Sequence, residues 1–175
     1  MKKALLIGLA LATGAAPRLA AQEEMYRDWL GFVFRRDRGM TTGTVAGAPD
    51  SVYRVLRRLA QDLGLKADVE DEGTRQFGAK RQRAYRQLGK TAVSAYLNCG
   101  DGLMGPNANT WYVYLNFGAQ VEPAGSGSSV TLMLNAQAAD VPNGGNQRLP
   151  CTSTGRLEMA LVNRLAATFG GAPPG

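Results

Sequence analysis

Cys99 and Cys151 are the only two thiols of a 175-residue chain that contains no histidine. The absence of imidazole excludes Ser-His and Cys-His catalytic pairs and every His-based metal site. Two cysteines alone cannot complete a tetrahedral zinc centre. They are 52 residues apart, without the close C-x-x-C spacing that makes a thiol pair redox-active. Gly100-Asp101-Gly102-Leu103-Met104-Gly105 spells G-x-G-x-x-G, but a dinucleotide site needs a helix N-terminus behind it, and Pro106-Asn107-Ala108-Asn109 follows instead. Cys151 to Arg156 resembles a phosphate-cradling phosphatase loop one residue too short, and it needs a free thiolate. No catalytic residue, metal site or cofactor is expected.

Three groups of polar residues remain. Asp68, Glu70 and Glu72 would share one side of a strand, with Asp71 opposite, but they lack the spacing and glycine turn of a calcium loop and read as a solvated face. Between Gly73 and Lys90 lie Arg75, Lys80, Arg81, Arg83, Arg86 and Lys90 with no acid, interleaved with Phe77 and Tyr85. Such a run either protects a sheet edge from strand addition or meets an anionic surface. On a regular strand the run divides by parity, Arg75, Arg81 and Arg83 against Lys80 and Arg86, and this division favours edge protection. The third group comprises Tyr112, Tyr114, Asn116, Gln120, Thr131, Met133, Asn135 and Gln137, expected on the solvent face of a sheet as a surface for a partner.

These residues need a frame. Thr41 to Gly47 reads as a strand. Ala48-Pro49-Asp50-Ser51 opens a helix, because proline suits the first helical position and an early aspartate complements the dipole. Val52, Val55, Leu56, Leu59 and Leu63 make one apolar stripe, and Gly64 ends the helix with Leu65 folding back. Lys66 to Glu72 and Thr74 to Lys80 read as short strands, with a third, more polar strand from Arg83 to Leu88. Residues 91–98 fit either a strand or a short helix, and Gly100 to Asn109 reads as a loop.

Trp111, Val113, Leu115, Phe117, Ala119 and Val121 alternate with polar residues. After a turn at Pro123 to Gly127, Val130, Leu132, Leu134, Ala136 and Ala138 do the same, which predicts a long antiparallel hairpin. Ser153 or Thr154 is placed to cap a last helix with Leu157, Leu161, Leu165 and Phe169 on one face. The fold class expected is α+β, a single domain over residues 41–170 with an antiparallel sheet and two helices packed on one face.

Val45 to Leu56, Val-Ala-Gly-Ala-Pro-Asp-Ser-Val-Tyr-Arg-Val-Leu, resembles the opening of helix-grip domains such as the START and Bet v 1 type carriers. Domains of the lipoprotein C component of the outer-membrane assembly machinery are similar in outline. Leu97-Asn98-Cys99-Gly100 together with Cys151 to Glu158 resembles a group of exported bacterial proteins without assigned function. The resemblance implies a fold over residues 41–170 and carries over no functional residue.

The chain's start supplies an address. Lys2 and Lys3 precede the uncharged run Ala4 to Ala16, too short for a bilayer span, and Leu19-Ala20-Ala21 suits a signal peptidase. Residues 1–21 are therefore expected to be a signal peptide, 22–40 a lead-in and 171–175 a disordered tail, with no transmembrane anchor after processing. Removing Lys2, Lys3 and Arg18 leaves 17 basic against 14 acidic residues, a charge of about +3 that gives little reason to expect nucleic acid. In a periplasmic or secreted chain an even cysteine count predicts a Cys99–Cys151 disulfide. The function expected is a non-enzymatic binding domain contacting a protein or an anionic envelope component. The alternative is a carrier of an apolar small molecule between sheet and C-terminal helix.

Overall fold

The structure, a computed structural model, describes residues 26–29 and 32–35 by their backbone and residues 40–170 in full. The expected signal peptide at 1–21 and the tail at 171–175 lie outside the described residues. Within the lead-in, β1 (Tyr26–Trp29) and β2 (Phe32–Arg35) pair antiparallel.

After β3 (Met40–Val45) comes α1 (Pro49–Asp62), then β4 (Val69–Asp71), β5 (Gln76–Tyr85), β6 (Gln87–Leu88), β7 (Thr91–Ala92) and β8 (Leu97–Asn98). A small hairpin of β9 (Asp101–Gly102) and β10 (Gly105–Pro106) leads into the single turn α2 (Asn107–Thr110). The long strands β11 (Tyr112–Ala124) and β12 (Gly127–Ala139) follow, then β13 (Arg148–Ser153) and α3 (Arg156–Phe169). The architecture is α+β: a nine-stranded antiparallel sheet in the order β7-β6-β5-β11-β12-β13-β8, with β3 also beside β12 and β4 beside β5. One edge of β12 is shared, residues 128–133 pairing with β3 and 136–139 with β13.

The local causes are mostly those expected. Pro49 stands at the start of α1 and Asp50 in its first turn. Gly64, at φ 89°, ends it with two reversed hydrogen bonds, Gly64 N–H to Gln61 O and Leu65 N–H to Ala60 O, the pattern of a Schellman cap. Val52, Leu56 and Leu63 are buried, joined by Tyr53 and Ala60, whereas Val55 and Leu59 are only partly covered. Helices α1 and α3 contact each other, α1 also contacts β11 and β12, and α3 contacts β3 and β12. Leu157, Leu161, Val162 and Leu165 are buried from α3, and Phe77 stacks near Tyr53 and Phe117 at centroid distances of 5.8 and 6.0 Å.

Several boundaries differ from the sequence reading. The strand expected at Thr74–Lys80 and the start of the one expected at Arg83–Leu88 are one strand, β5, carried past Lys80 and Arg81 by a bulge opposite Asn116, while Gln87–Leu88 form β6. Residues 91–98 hold both alternatives, β7, a 3₁₀ turn at Val93–Ala95, and β8. The segment expected as a loop at 100–109 contains the β9–β10 hairpin and α2. The cap of α3 is Gly155 at φ 77°. Ser153 instead accepts the Gly155 N–H and donates to Glu158, 2.6 Å away.

Cys99 and Cys151 form a disulfide. It lies beside the β8–β13 pairing, in which Asn98 faces Thr152, and so ties an edge strand of two residues to the sheet. No helix among the described residues is long and apolar enough to cross a membrane.

Candidate functional site

The bulge in β5 decides where the basic run goes. Leu115 faces Gln82 and Phe117 faces Ala79, so two residues, Lys80 and Arg81, oppose Asn116 alone. This shift breaks the parity of a regular strand between its two sides: Arg81 and Arg83, which parity already grouped, lie on the face of Tyr114 and Tyr112, and Lys80 shares the bulge with Arg81. Their guanidinium carbons stand 5.9 Å from the Tyr114 ring centre and 4.9 Å from that of Tyr112. Arg86 covers Tyr85 at 5.2 Å, and Tyr85 meets Tyr112 edge-on at 5.2 Å. Arginine and tyrosine thus alternate along one face, held by cation–π contacts.

The other basic residues fall elsewhere. Arg75 lies at the opposite end of β5 and is ion-paired with Asp50, so it does not belong to this face. Lys90 is exposed in the turn between β6 and β7. The two strand-borne groups proposed separately from the sequence, arginines of β5 and polar residues of β11 and β12, form one surface.

Part of the expected sheet face is not available. Met133 is fully buried, and Gln120 and Thr131 are nearly so. Alternation places them on this face, but it does not determine how much their neighbours cover them. Each lies in the middle of the sheet, between paired strands on both sides. Tyr112, Tyr114, Asn116 and Asn135 are half-buried and Gln137 is exposed.

A cleft of about 290 Å³ opens among Arg81, Tyr114, Asn116, Asn135, Gln137 and Arg148. Its donors are fixed by one backbone group. The Arg81 N–H, which can only donate, reaches Asn116 Oδ1 at 2.8 Å. Asn116 Nδ2 must then face the other way, and it donates to Asn135 Oδ1 at 2.9 Å. The Asn135 amide nitrogen is left with no partner among the described residues. Among the described residues no carboxylate lines the cleft, and none pairs with Arg81, Arg83, Arg86 or Arg148. Arg81, Arg148, Asn135 and Tyr114 therefore line a space suited to an anion.

Arg148 was not singled out from the sequence. It is a lone arginine after a loop rich in asparagine and glycine, and only the pairing of Arg148 with Ala139 sets it beside β11 and β12. The carboxylates expected along one strand side separate to different partners. Asp68 accepts the Lys80 N–H, whereas Glu70 takes the Tyr53 hydroxyl and pairs with Arg57 at 2.8 Å. Burial and this carboxylate push the Tyr53 hydroxyl well above its ordinary pKa. No group of metal-ligating side chains occurs among the described residues. No protein-family model matches the chain, and no curated protein matches its sequence.

Proposed function

We propose that the chain is an exported, non-enzymatic binding domain that holds an anionic envelope component on its arginine–tyrosine sheet face. The observation that carries this reading is the cleft at Arg81 and Arg148, lined among the described residues by donors and by no carboxylate. A phosphate or carboxylate there would meet two guanidinium groups and the Asn135 amide, and charge-assisted bonds of that kind are the strong ones. The disulfide and the basic, apolar start of the chain support a periplasmic or secreted location. The same reading takes α1 and α3 as a two-helix cover on one sheet face, a helix-grip-like arrangement, supported by their contacts with each other and with central strands.

The carrier reading has less support. Phe77, Phe117, Leu115, Leu132, Leu161 and Leu165, all buried, occupy the space an apolar ligand would need.

Binding to soluble polyphosphate tests the proposal, with uncharged dextran as control. The protein should bind polyphosphate and release it as salt rises, because exposed charges are screened within about 8 Å at physiological ionic strength. Changing Arg81, Arg83 and Arg148 together to Ser should abolish most of that binding and leave the melting temperature nearly unchanged, since exposed charges contribute little to folding. Equal binding by the triple variant would overturn the assignment.

A further inference from the structure

Four large apolar side chains are exposed among the described residues: Tyr85, Leu103, Met104 and Val141. Single exposed hydrophobics are ordinary on a soluble surface, but clustering is not. The strand register puts Tyr85 and Val141 at one end of the sheet. Tyr85 pairs with Tyr112, Tyr112 with Ala139, and Ala139 with Arg148. Val141 follows Ala139 by two residues. Leu103 and Met104 form the tip of the β9–β10 hairpin, 107% and 86% exposed.

Both roots of that hairpin are tied to the same end. Its C-terminal root passes through α2 and Trp111 into Tyr112. Its N-terminal root is Cys99, bonded to Cys151 three residues from Arg148. The Asn107 N–H to Gly100 O bond closes the base, and buried Asn107 also donates to Cys99 O. The tip is thus held out on a braced base with no protein surface over it.

Basic residues gather at the same end: Arg83, Arg86, Lys90 and Arg148 stand there, against Asp101 and Asp140 in its loops and Asp62 where α1 ends. Toward the other end Asp50 is paired with Arg75 and Glu70 with Arg57.

Building on the arginine–tyrosine face, we infer that its partner is an anionic lipid bilayer, with Leu103 and Met104 inserted among the acyl chains and the neighbouring arginines on lipid phosphates. Apolar side chains at a tip, tyrosines behind them and basic residues around them match, in order, the depth profile of a membrane interface.

Co-sedimentation with vesicles of phosphatidylglycerol and phosphatidylcholine tests this, with phosphatidylcholine alone as reference. The protein should bind the anionic vesicles and not the neutral ones. L103S/M104S should lose about tenfold or more in vesicle affinity, the value of withdrawing two such side chains from lipid. It should keep its polyphosphate binding and melting temperature, since neither side chain is packed in the fold. In L103W, the emission of the introduced tryptophan should be quenched by brominated acyl chains. Vesicle binding unchanged in L103S/M104S, or no quenching in L103W, would overturn the insertion while leaving the arginine site standing. Loss of polyphosphate binding by the wild-type protein would instead remove the site itself. Self-association without vesicles that disappears in L103S/M104S would identify the tip as a contact between copies and overturn the lipid assignment.

Discussion

Arg81 sits at φ 50°, in the left-handed region where a side chain other than glycine costs roughly 1–2 kcal/mol. Arg75 and Arg86 are left-handed as well, but Arg81 alone lines the cleft. A glycine would build the same bulge without strain, so the guanidinium is what the position gains for its cost. Comparing Arg81→Gly with Arg81→Ala isolates the two effects. Both should weaken polyphosphate binding equally, because both remove the same cation. The Gly variant should be the more stable by about 1 kcal/mol in urea denaturation, because only it relaxes the backbone. Equal stability of the two would mean that the left-handed conformation stores no strain. The charge of Arg81 was legible as part of the basic run, but its place in a bulge was not, because a bulge built on arginine lacks the glycine that usually announces one. Arg75 shows the converse. Its charge was plain in the sequence, but its neutralisation by Asp50, 25 positions earlier, was not.

The elements divide by how their periodicity is written. α1 was legible from end to end, because Pro49, the stripe from Val52 to Leu63 and Gly64 each state a boundary or a face. β11 and β12 were legible for the same reason, at period two. The short strands β6 to β10 were not, because two residues carry no period and their pairing is set by the turns around them. β8 is the clearest case: its two residues join the sheet through only two pairs, Asn98 with Thr152 and Leu97 with Ser153, and the neighbouring disulfide compensates for so short a ladder. Replacing Cys99 and Cys151 together by Ser frees a loop of 52 residues, worth roughly 4 kcal/mol in chain entropy. The expected loss by chemical denaturation is about 2–5 kcal/mol. Hydrogen exchange should show protection lost first at Leu97–Asn98 and in the β9–β10 hairpin, because that edge opens before the core does. Uniform loss of protection across β11 and β12 would show instead that the bond supports the fold globally.

Among the described residues, three ionisable groups shape the pH dependence of stability, and their signs differ. Hydrogen bonds from Thr74 hold the Asp71 carboxyl below its ordinary range. A depressed pKa stabilises the fold at pH values above the unfolded value and ceases to do so as pH falls through the folded one. Glu158 is opposite in sense. It is 99% buried, since only 1% of its surface is exposed, and one carboxylate oxygen has no partner. Burial raises its pKa above 4.5, against the opposing bond from Ser153. A raised pKa leaves stability intact below the unfolded value and removes it as pH rises through the folded value. Tyr53 adds a loss of the same sign at strongly alkaline pH. The wild-type protein should therefore lose stability as pH rises from about 4.5 toward neutrality, with Glu158 as the cause. Glu158→Gln keeps the size and the bond with Ser153 but cannot ionise, so its unfolding free energy should lack that decline. The readout is the slope of stability against pH, which does not depend on any constant cost of the amide. A wild-type slope that persists unchanged in Glu158→Gln would assign the titration to another group and leave Glu158 neutral throughout the range.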